Sequence, residues 1–296
     1  MSTPLSLRRF LLALAIVAVW GSNFAIIKIA LAHFTPLWLA TWRFALVLLP
    51  AVFFIRRPAV SWGNLAAYGV LIGVGQFGLI YWAMQGHISP GLASLVVQTQ
   101  VFFTIALAMR TTGERMQRYQ WAGLLLAASG IVVIVLHTDG STTPLGLAVV
   151  LLAALSWAGG NTASRQAGQV NMLAYVVWSS LFAVPPLLVL AWAFEGSAAL
   201  MTTLHSADLG SWAAVLWQAW GNSLFGYAMW AWLLARHPAA TISPLALLVP
   251  VFGMGTSAWW LGEPLPAWKL AAAGLVMLGL VVNLLWPRLR PARTLA

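Results

Sequence analysis

The stretch PGLASLVVQTQVFFTIALAMRTTGE, Pro90 to Glu114, decides the fold that the sequence predicts. A Pro-Gly pair opens it and a small charged turn closes it, with an apolar run of about 20 residues between them. At 1.5 Å per residue, a helix of this length spans roughly 30 Å, the thickness of a bilayer's hydrocarbon core. Gln98 and Gln100 lie inside the run, where contact with lipid is costly. We therefore predict a membrane-spanning helix with one face turned to protein or water.

A second copy of this stretch begins 149 positions later, over Ala239 to Glu263, AATISPLALLVPVFGMGTSAWWLGE. The alignment pairs Ser94 with Ser243, Phe103 with Phe252, and Glu114 with Glu263. An earlier segment repeats as well, because WGSNFAIIK at 20–28 lies over WAGGNTASR at 157–165. The sequence therefore predicts two related halves, residues 1–137 and 138–296.

Composition places the chain in the membrane class. Hydrophobic residues make up 61% and charged residues 7% of its 296 residues, whereas a soluble domain carries about 25% charged residues. No soluble fold buries that much apolar surface with so few charges to cover its outside. The chain has no cysteine, which excludes disulfides and thiolate metal sites.

Ten apolar spans separate at turn signals along the chain, and we number them span 1 to span 10. Span 1 follows Arg8-Arg9 like a signal peptide, but it is too long for one and nine further spans follow, so we predict that it is retained. The predicted bounds are 10–30, 35–55, 65–84, 91–110, 119–137, 144–164, 172–194, 210–235, 241–261 and 266–286.

The distribution of Lys and Arg predicts the orientation. With the N-terminus in the cytoplasm, 12 of the 15 basic residues are cytoplasmic and 4 of the 5 acids, Asp139, Glu195, Asp208 and Glu263, face outward. Both termini are therefore predicted to be cytoplasmic. The formal charge of +10 then reflects topology and contact with anionic lipid headgroups. No nucleic-acid partner is predicted.

Two halves of five spans each must have opposite orientations, because five is an odd number. The predicted fold is thus an all-α integral membrane protein with ten transmembrane helices in two inverted five-helix repeats. Inverted repeats are typical of alternating-access carriers, which hold the substrate near the midplane between the repeats. A channel or an inert scaffold that arose by duplication is the alternative.

The sequence resembles the EamA family of the drug/metabolite transporter superfamily over essentially its whole length. Within that family it is most similar to bacterial exporters of cysteine and O-acetylserine, and next to the branch that exports aromatic amino acids. The resemblance implies a ten-helix inner-membrane exporter of amino acids and related metabolites. The residues that carry it are Trp20-Gly-Ser-Asn-Phe with Lys28, Arg43-Phe44, Gly91-Leu-Ala-Ser-Leu with Gln98, Gly113-Glu114-Arg115, Ser156-Trp157 with Asn161, Gly226-Tyr227, and Ser243 to Pro250.

Polar side chains inside the spans are the first candidates for a substrate site. A buried amide needs partners, so each one either joins two helices or lines a cavity. We predict that Asn23, Gln98 and Asn161 line the cavity, because both halves place polar groups in these spans, and that Gln76 faces inward with Tyr68 and Ile72. Spans 1, 3, 4, 6, 8 and 9 are expected to surround this cavity.

Deep aromatic residues and two cations complete the predicted site. Trp20, Trp157, Trp178, Tyr81 and Tyr227 lie away from the span ends, where their rings either pack or attract a substrate ammonium group. Arg43 lies well inside span 2, at a costly depth, and is predicted to contact a substrate carboxylate or to act in a gate. Lys28 is also predicted to contact a substrate carboxylate or to act in a gate. Alternatively, its long side chain places the ammonium group among the lipid headgroups.

The inventory of side chains also excludes several chemistries. No acid falls in a span centre, all five histidines lie at span ends or in loops, and no nucleophile triad or metal cluster can be assembled. The GxGxxG match at Gly73–Gly78 lies in an apolar span with no preceding strand, so it does not indicate a dinucleotide site. We predict no catalytic residue, no metal and no cofactor.

The predicted partners are a small neutral or zwitterionic substrate and the lipid bilayer, for a monomeric protein. A nucleotide-sugar carrier or a lipid-handling scaffold remains as the competing class. A membrane-embedded enzyme lacks a catalytic set.

Overall fold

The structure is a computed structural model that describes residues 6–112, 116–138 and 141–289. Part of the predicted charge asymmetry lies outside the described residues, namely Glu114, Arg115, Asp139, Arg290 and Arg293. We call the end of the bundle that holds the loops after spans 1, 3, 5, 7 and 9 the outer end, and the opposite end the inner end, following the predicted orientation.

Six spans are continuous or nearly continuous helices. Span 2 is interrupted after Leu48, where Pro50 has no N–H to continue the backbone ladder, and resumes for one turn at Ala51–Phe54. Spans 1, 2, 5, 6, 7 and 10 are helical over Leu7–Ala30, Pro36–Leu48, Arg118–Leu136, Pro144–Gln166, Met172–Phe194 and Ala267–Leu289.

The other four spans each contain a break from α-helical geometry near their middle. In span 3 a π-helix, Val70–Gly78, separates Trp62–Gly69 from Leu79–Gly86, and in span 8 another, Trp217–Phe225, separates Leu209–Leu216 from Gly226–Leu234. Spans 4 and 9 contain shorter 3₁₀ segments instead. Span 4 runs Pro90–Val96, Val97–Thr99 and Gln100–Thr112, and span 9 runs Ala239–Ile242, Ser243–Leu248 and Val249–Leu261.

These helices confirm the predicted class of all-α membrane protein. Within the described ranges, nine helices are long and apolar enough to cross a membrane. Span 8 is not among them, because Gln218, Asn222 and several tryptophans and glycines lower its mean hydropathy. The count of ten membrane crossings therefore stays a prediction.

Proline and glycine explain where several spans begin and end. Spans 2, 4 and 6 start on Pro36, Pro90 and Pro144, a position at which the missing N–H has no helical partner to lose. Span 9 ends at Gly262, whose left-handed φ of 65° suits a residue without a Cβ. The connection between spans 7 and 8 forms an additional helix at Gly196–Ser206.

The core lies between the predicted halves. Span 1 packs against span 9, span 2 against span 7, span 3 against span 6, and span 5 against span 10. Where spans 5 and 10 cross, a Cβ on Gly279 would come within 2.4 Å of the carbonyl oxygen of Gly123, so only glycine allows this approach. Small residues at such crossings are typical of helix packing in membranes.

Candidate functional site

Arg43 lies at the centre of the bundle and is completely buried. One terminal nitrogen donates to the hydroxyl of Tyr81 at 2.7 Å. The other donates to Oδ1 of Asn222 at 2.8 Å and to Oγ of Ser223 at 3.0 Å. The guanidinium also sits 3.7 Å from the centroid of the Phe77 ring. A charged side chain from span 2 is thus held by groups from spans 3 and 8.

The partners of Arg43 within the described part of the chain are all neutral. A buried cation without a counter-ion is costly, and hydrogen bonds and an aromatic face offset only part of that cost. The one salt bridge among the described residues, between Lys269 and Glu263, lies at the outer end. The centre of the bundle therefore carries a positive charge that an anionic group would stabilise further.

The two π-helices bring this cluster together. Phe77 lies on the π-helix of span 3, while Gln218, Asn222 and Ser223 lie on that of span 8. A π-helix is wider than an α-helix and shifts the direction of the side chains that follow, and such segments recur at functional sites. Breaks at corresponding places in two halves are also where carriers form substrate sites.

Three polar atoms in this region have no hydrogen-bond partner among the described residues. They are Nε of Arg43, Nε2 of Gln218 and Oγ of Ser179. Gln218 is already fixed in place, because its Oε1 accepts a short hydrogen bond from Tyr81. Unpaired buried donors are rare and need an explanation such as a water or a ligand. Two N–H donors and one hydroxyl suit a carboxylate.

A small closed chamber lies beside the Arg43 cluster. Its volume is about 10 Å³, which is room for roughly one water. Ser223 and Phe77 contact both Arg43 and the chamber, and Ser179 is also one of the lining residues. The remaining lining residues are Phe44, Tyr68, Gly69, Ile72, Val176, Ser180 and Tyr227. The chamber must widen before it holds a solute larger than water.

An aromatic group covers the same centre from span 1. The ring of Trp20 lies 5.7 Å from Tyr227 and 5.0 Å from Trp230, and its Nε1 donates to the carbonyl oxygen of Asn222 at 3.1 Å. Gly226 permits this contact, since a Cβ there would lie 2.5 Å from the Trp20 Nε1. Trp20 is therefore tied to the same π-helix that holds Arg43.

Four of the predicted site residues belong to this central group: Arg43, Tyr81, Tyr227 and Trp20. Gln76 lies on the π-helix of span 3 and is buried with its Oε1 unpaired among the described residues. Asn23 is also buried, and its Oδ1 has no partner in the same ranges. Both amides stay predicted site residues.

The other predicted residues lie elsewhere. Asn161 donates to Oε1 of Gln100 at 2.8 Å, a contact that joins spans 6 and 4. Trp178 donates to the carbonyl of Ile55 near the inner end. Lys28 donates to the carbonyl oxygens of Met84 and Gln85, where span 3 ends. Gln98 is buried in the 3₁₀ segment of span 4, and Trp157 is half-buried against the core.

The chamber differs from the expected one in the helices that form it. Spans 2, 3, 7 and 8 line it, whereas the sequence analysis expected spans 1, 3, 4, 6, 8 and 9. Gln218, Ser223 and Phe77 belong to the central group but were not predicted from the sequence. The signal for two of them was present in span 8, where Gln218, Asn222 and Ser223 interrupt an otherwise apolar and aromatic run.

At the outer end, two glutamates of the second predicted half hold helix starts of the first. Glu195 accepts from Thr35 Oγ1 at 2.6 Å and from the backbone N–H groups of Leu37 and Trp38. Glu263 accepts from Ser89 Oγ at 2.5 Å and from the N–H of Gly91 at 2.9 Å. A carboxylate is stabilised at a helix N-terminus, so these contacts join the two predicted halves at the outer end.

Comparison with known proteins gives one family and close relatives. The profile of the EamA-like transporter family matches twice, over residues 7–136 and 144–285. The chain is 40% identical over 285 residues to a "Probable amino-acid metabolite efflux pump" of Salmonella typhimurium, covering 94% of this chain and 95% of the relative. A protein with the same description from Escherichia coli strain K12 is 38% identical, with coverages of 95% and 96%.

The fold also has a counterpart among solved structures. One crystal structure superposes with a TM-score of 0.60 and covers 95% of this chain and 98% of its own. Its sequence identity is 17%, so this likeness concerns the fold alone.

Proposed function

The chain belongs to the EamA-like transporter family, and on this basis we propose that it exports amino acids and related small metabolites from the cytoplasm. Export would proceed by alternating access of a central site to the two sides of the bacterial inner membrane, with both termini cytoplasmic. The two relatives described as amino-acid metabolite efflux pumps support this direction and this class of solute.

The observation that carries the proposal is the buried Arg43 with neutral partners. A zwitterionic amino acid has a carboxylate that would pair with the guanidinium, whose Nε is unused within the described residues. The amide of Gln218 and the hydroxyl of Ser179 would supply further hydrogen bonds. The ammonium group would face the rings of Trp20 and Tyr227, since aromatic faces attract cations.

The remaining predicted residues fit this proposal as a wider lining. Asn23 and Gln76 are buried with unpaired oxygens in the described part of the chain, so they would accept hydrogen bonds from an ammonium group. Gln98, Trp157, Asn161 and Trp178 would line the path when the chamber widens. Arg43 would bind the carboxylate, and Lys28 would stabilise the outer end of span 3.

Preference for aromatic amino acids is a second candidate, favoured by the cluster of Trp20, Tyr227 and Trp230. We expect Trp20→Ala to reduce the export of phenylalanine about fivefold more than that of serine. Stacking contributes on the order of 1 kcal/mol and a serine side chain cannot stack, whereas both solutes lose the same cation–π contact of the ammonium group. The measurement is flux of both solutes into liposomes. Trp20→Phe, which keeps a ring, is the control, and equal losses for both solutes would assign the indole to packing.

We expect Gln98→Ala and Asn161→Ala to reduce export while the protein still inserts. Asn161→Ala also removes the contact with Gln100, which costs about 0.6 kcal/mol for an average interhelical hydrogen bond in a membrane. Flux in liposomes and thermal unfolding in detergent separate the two effects. Gln100→Ala is the matched control, because it breaks the same hydrogen bond from the other side. If Asn161→Ala and Gln100→Ala behave alike, the amide joins helices and does not line the path.

The proposed function is tested with purified protein in liposomes and a panel of labelled solutes. We expect flux of one or more neutral amino acids and none of nucleotide sugars. Flux of nucleotide sugars alone would favour the competing carrier class, and no flux of any solute would favour a scaffold.

A further inference from the structure

A second, larger cavity opens near the inner end, and we call it the vestibule. Its volume is about 490 Å³, within the range of about 300–1,000 Å³ that is usual for small-molecule sites. It is bounded by the connection between spans 2 and 3, the first turns of span 3, and the end of span 6. The lining residues are Ala59, Val60, Ser61, Gly63, Asn64, Ala67, Gln166 and Ala167.

The vestibule and the central chamber follow one another along the same helix. Asn64 and Ala67 line the vestibule, whereas Tyr68 and Gly69 line the chamber. From Asn64 to Tyr68 is a little more than one helical turn, or about 6 Å. The chamber beside Arg43 is therefore the next cavity along span 3 after the vestibule.

A pair of tyrosines stands between the two spaces. The rings of Tyr68 and Tyr175 lie 4.7 Å apart, and both side chains are buried. The hydroxyl of Tyr175 donates to Oδ1 of Asn64 at 2.7 Å, while Nδ2 of Asn64 donates to the carbonyl oxygen of Ala163 at 2.8 Å. Asn64 thus joins Tyr175 to span 6, and Tyr68, which packs against Tyr175, is part of the chamber wall.

The charges around the vestibule favour a carboxylate. Arg56, Arg57 and Arg165 are exposed and lie within three residues of the lining residues Ala59 and Gln166 along the chain, and the guanidinium of Arg57 lies 4.3 Å from the ring centroid of Trp62. The acidic residues of the described ranges, Glu195, Asp208 and Glu263, all lie at the outer end. A rim with one sign of charge raises the local concentration of the opposite charge.

We propose that the vestibule is a separate first binding site for the amino acid. Tyr68 and Tyr175, which Asn64 holds through its hydrogen bond with Tyr175, then form the barrier between the vestibule and Arg43. The solute binds there through its carboxylate before the tyrosine pair opens. This inference rests on the proposed function, because it takes an amino acid as the solute and the inner end as cytoplasmic.

Single cysteines test the proposal cleanly, because the chain has none of its own. Gly63→Cys places a thiol in the vestibule, where a Cβ would meet nothing within 4 Å. Ser179→Cys places one in the chamber. Gly86→Cys is the matched control at the outer end of the same span, and its Cβ also meets nothing within 4 Å. A membrane-impermeant methanethiosulfonate is added to inside-out vesicles and the rate of labelling is measured.

We expect Gly63→Cys to react from this side, Gly86→Cys only from the opposite side, and Ser179→Cys about tenfold more slowly than Gly63→Cys. Adding Tyr175→Phe to Ser179→Cys should raise its rate about tenfold, as expected for the loss of one buried hydrogen bond worth about 1.4 kcal/mol. The rate of Gly63→Cys should not change. Equal rates for Ser179→Cys and Gly63→Cys with the tyrosine pair intact would overturn the barrier.

Protection by solute tests the binding site itself. L-alanine, L-serine, O-acetyl-L-serine and L-phenylalanine are first assayed for flux with the wild-type protein. A solute that is carried should slow the labelling of Gly63→Cys, and D-glucose, which has no carboxylate, should not. A carried amino acid that gives no protection overturns the vestibule site. If the wild type carries none of the four, the proposed function fails instead, while the rates for Ser179→Cys still test the barrier.

Discussion

Replacing Arg43 by Gln is expected to lower export by roughly a hundredfold. A charge-assisted hydrogen bond to a carboxylate contributes about 1.5–3 kcal/mol, and the larger value corresponds to roughly a hundredfold in affinity. Arg43 is completely buried and its Nε has no partner among the described residues, so its pairing with a solute would be fully desolvated. Flux of an amino acid into liposomes measures the loss.

A second variant of Arg43 and a control at Lys28 separate an effect on solute binding from an effect on folding. Arg43→Met removes a buried cation that has no counter-ion, which is favourable for stability, but leaves Oδ1 of Asn222 without its donor at a cost of about 1–3 kcal/mol, so the two effects offset each other. We expect it to unfold near the wild-type temperature and still to be inactive. Lys28→Met is the matched control for a cation inside a span, with a loss of about threefold or less, because Lys28 bonds carbonyl oxygens at a helix end. If Arg43→Met exported normally, Arg43 would have only a structural role.

Replacing Glu263 by Gln is expected to destabilise the protein by about 3 kcal/mol. The side chains of Lys269 and Glu263 are only 3% and 7% exposed, and Nζ lies 3.0 Å from Oε1. Gln has a single carbonyl oxygen, so it keeps only one of the two acceptor positions that Ser89 and Gly91 use, and the ammonium group of Lys269 is left buried without its counter-ion. Removing one partner of a buried ion pair costs about 3–5 kcal/mol. Thermal unfolding in detergent is the measurement.

The double variant Glu263→Gln/Lys269→Met removes both charges and is expected to recover most of the lost stability. Glu195→Gln is the matched control at the other helix start, where the carboxylate bonds Thr35, Leu37 and Trp38. We expect it to cost about 1 kcal/mol or less, the usual worth of a charge at a helix N-terminus. Equal losses for Glu195→Gln and Glu263→Gln would show that the ion pair adds nothing to the helix caps.

The spans were predictable because their signals are strong and local. The predicted and observed bounds differ by no more than 3 residues, as at span 3, predicted from 65 and observed from Trp62. Long apolar runs closed by prolines, glycines and charged turns leave few alternatives in a membrane. Arg43 was also predictable, since a cation that deep in a span needs a special environment.

The composition of the chamber could not be predicted from the same signals. Gln218 bonds Tyr81 and Ser223 bonds Arg43 because a π-helix at Trp217–Phe225 changes the direction of the side chains. The amino acids of that segment have no known preference from which a π-helix could be predicted. The role of Asn161 could not be predicted from the sequence either. Its polarity in a span fits both cavity lining and helix contact, and only the position of Gln100 reveals its hydrogen bond.

The positions of the acidic residues also predict which gradient drives transport. No acid lies in a predicted span centre, so the protein has no obvious carboxylate to relay protons across the membrane. We therefore expect facilitated diffusion, in which each tenfold gradient of a neutral solute supplies about 1.4 kcal/mol.

Counterflow in liposomes tests the central claim most directly, namely that a site at Arg43 carries an amino acid down its own gradient. Liposomes that contain the wild-type protein are loaded with an unlabelled amino acid, and labelled amino acid is added outside with no pH gradient and no membrane potential. We predict robust exchange with the wild type, none with Arg43→Met, and net flux that a protonophore leaves unchanged. Exchange by Arg43→Met at the wild-type rate, or net flux that vanishes when an imposed proton gradient is collapsed, would contradict the account.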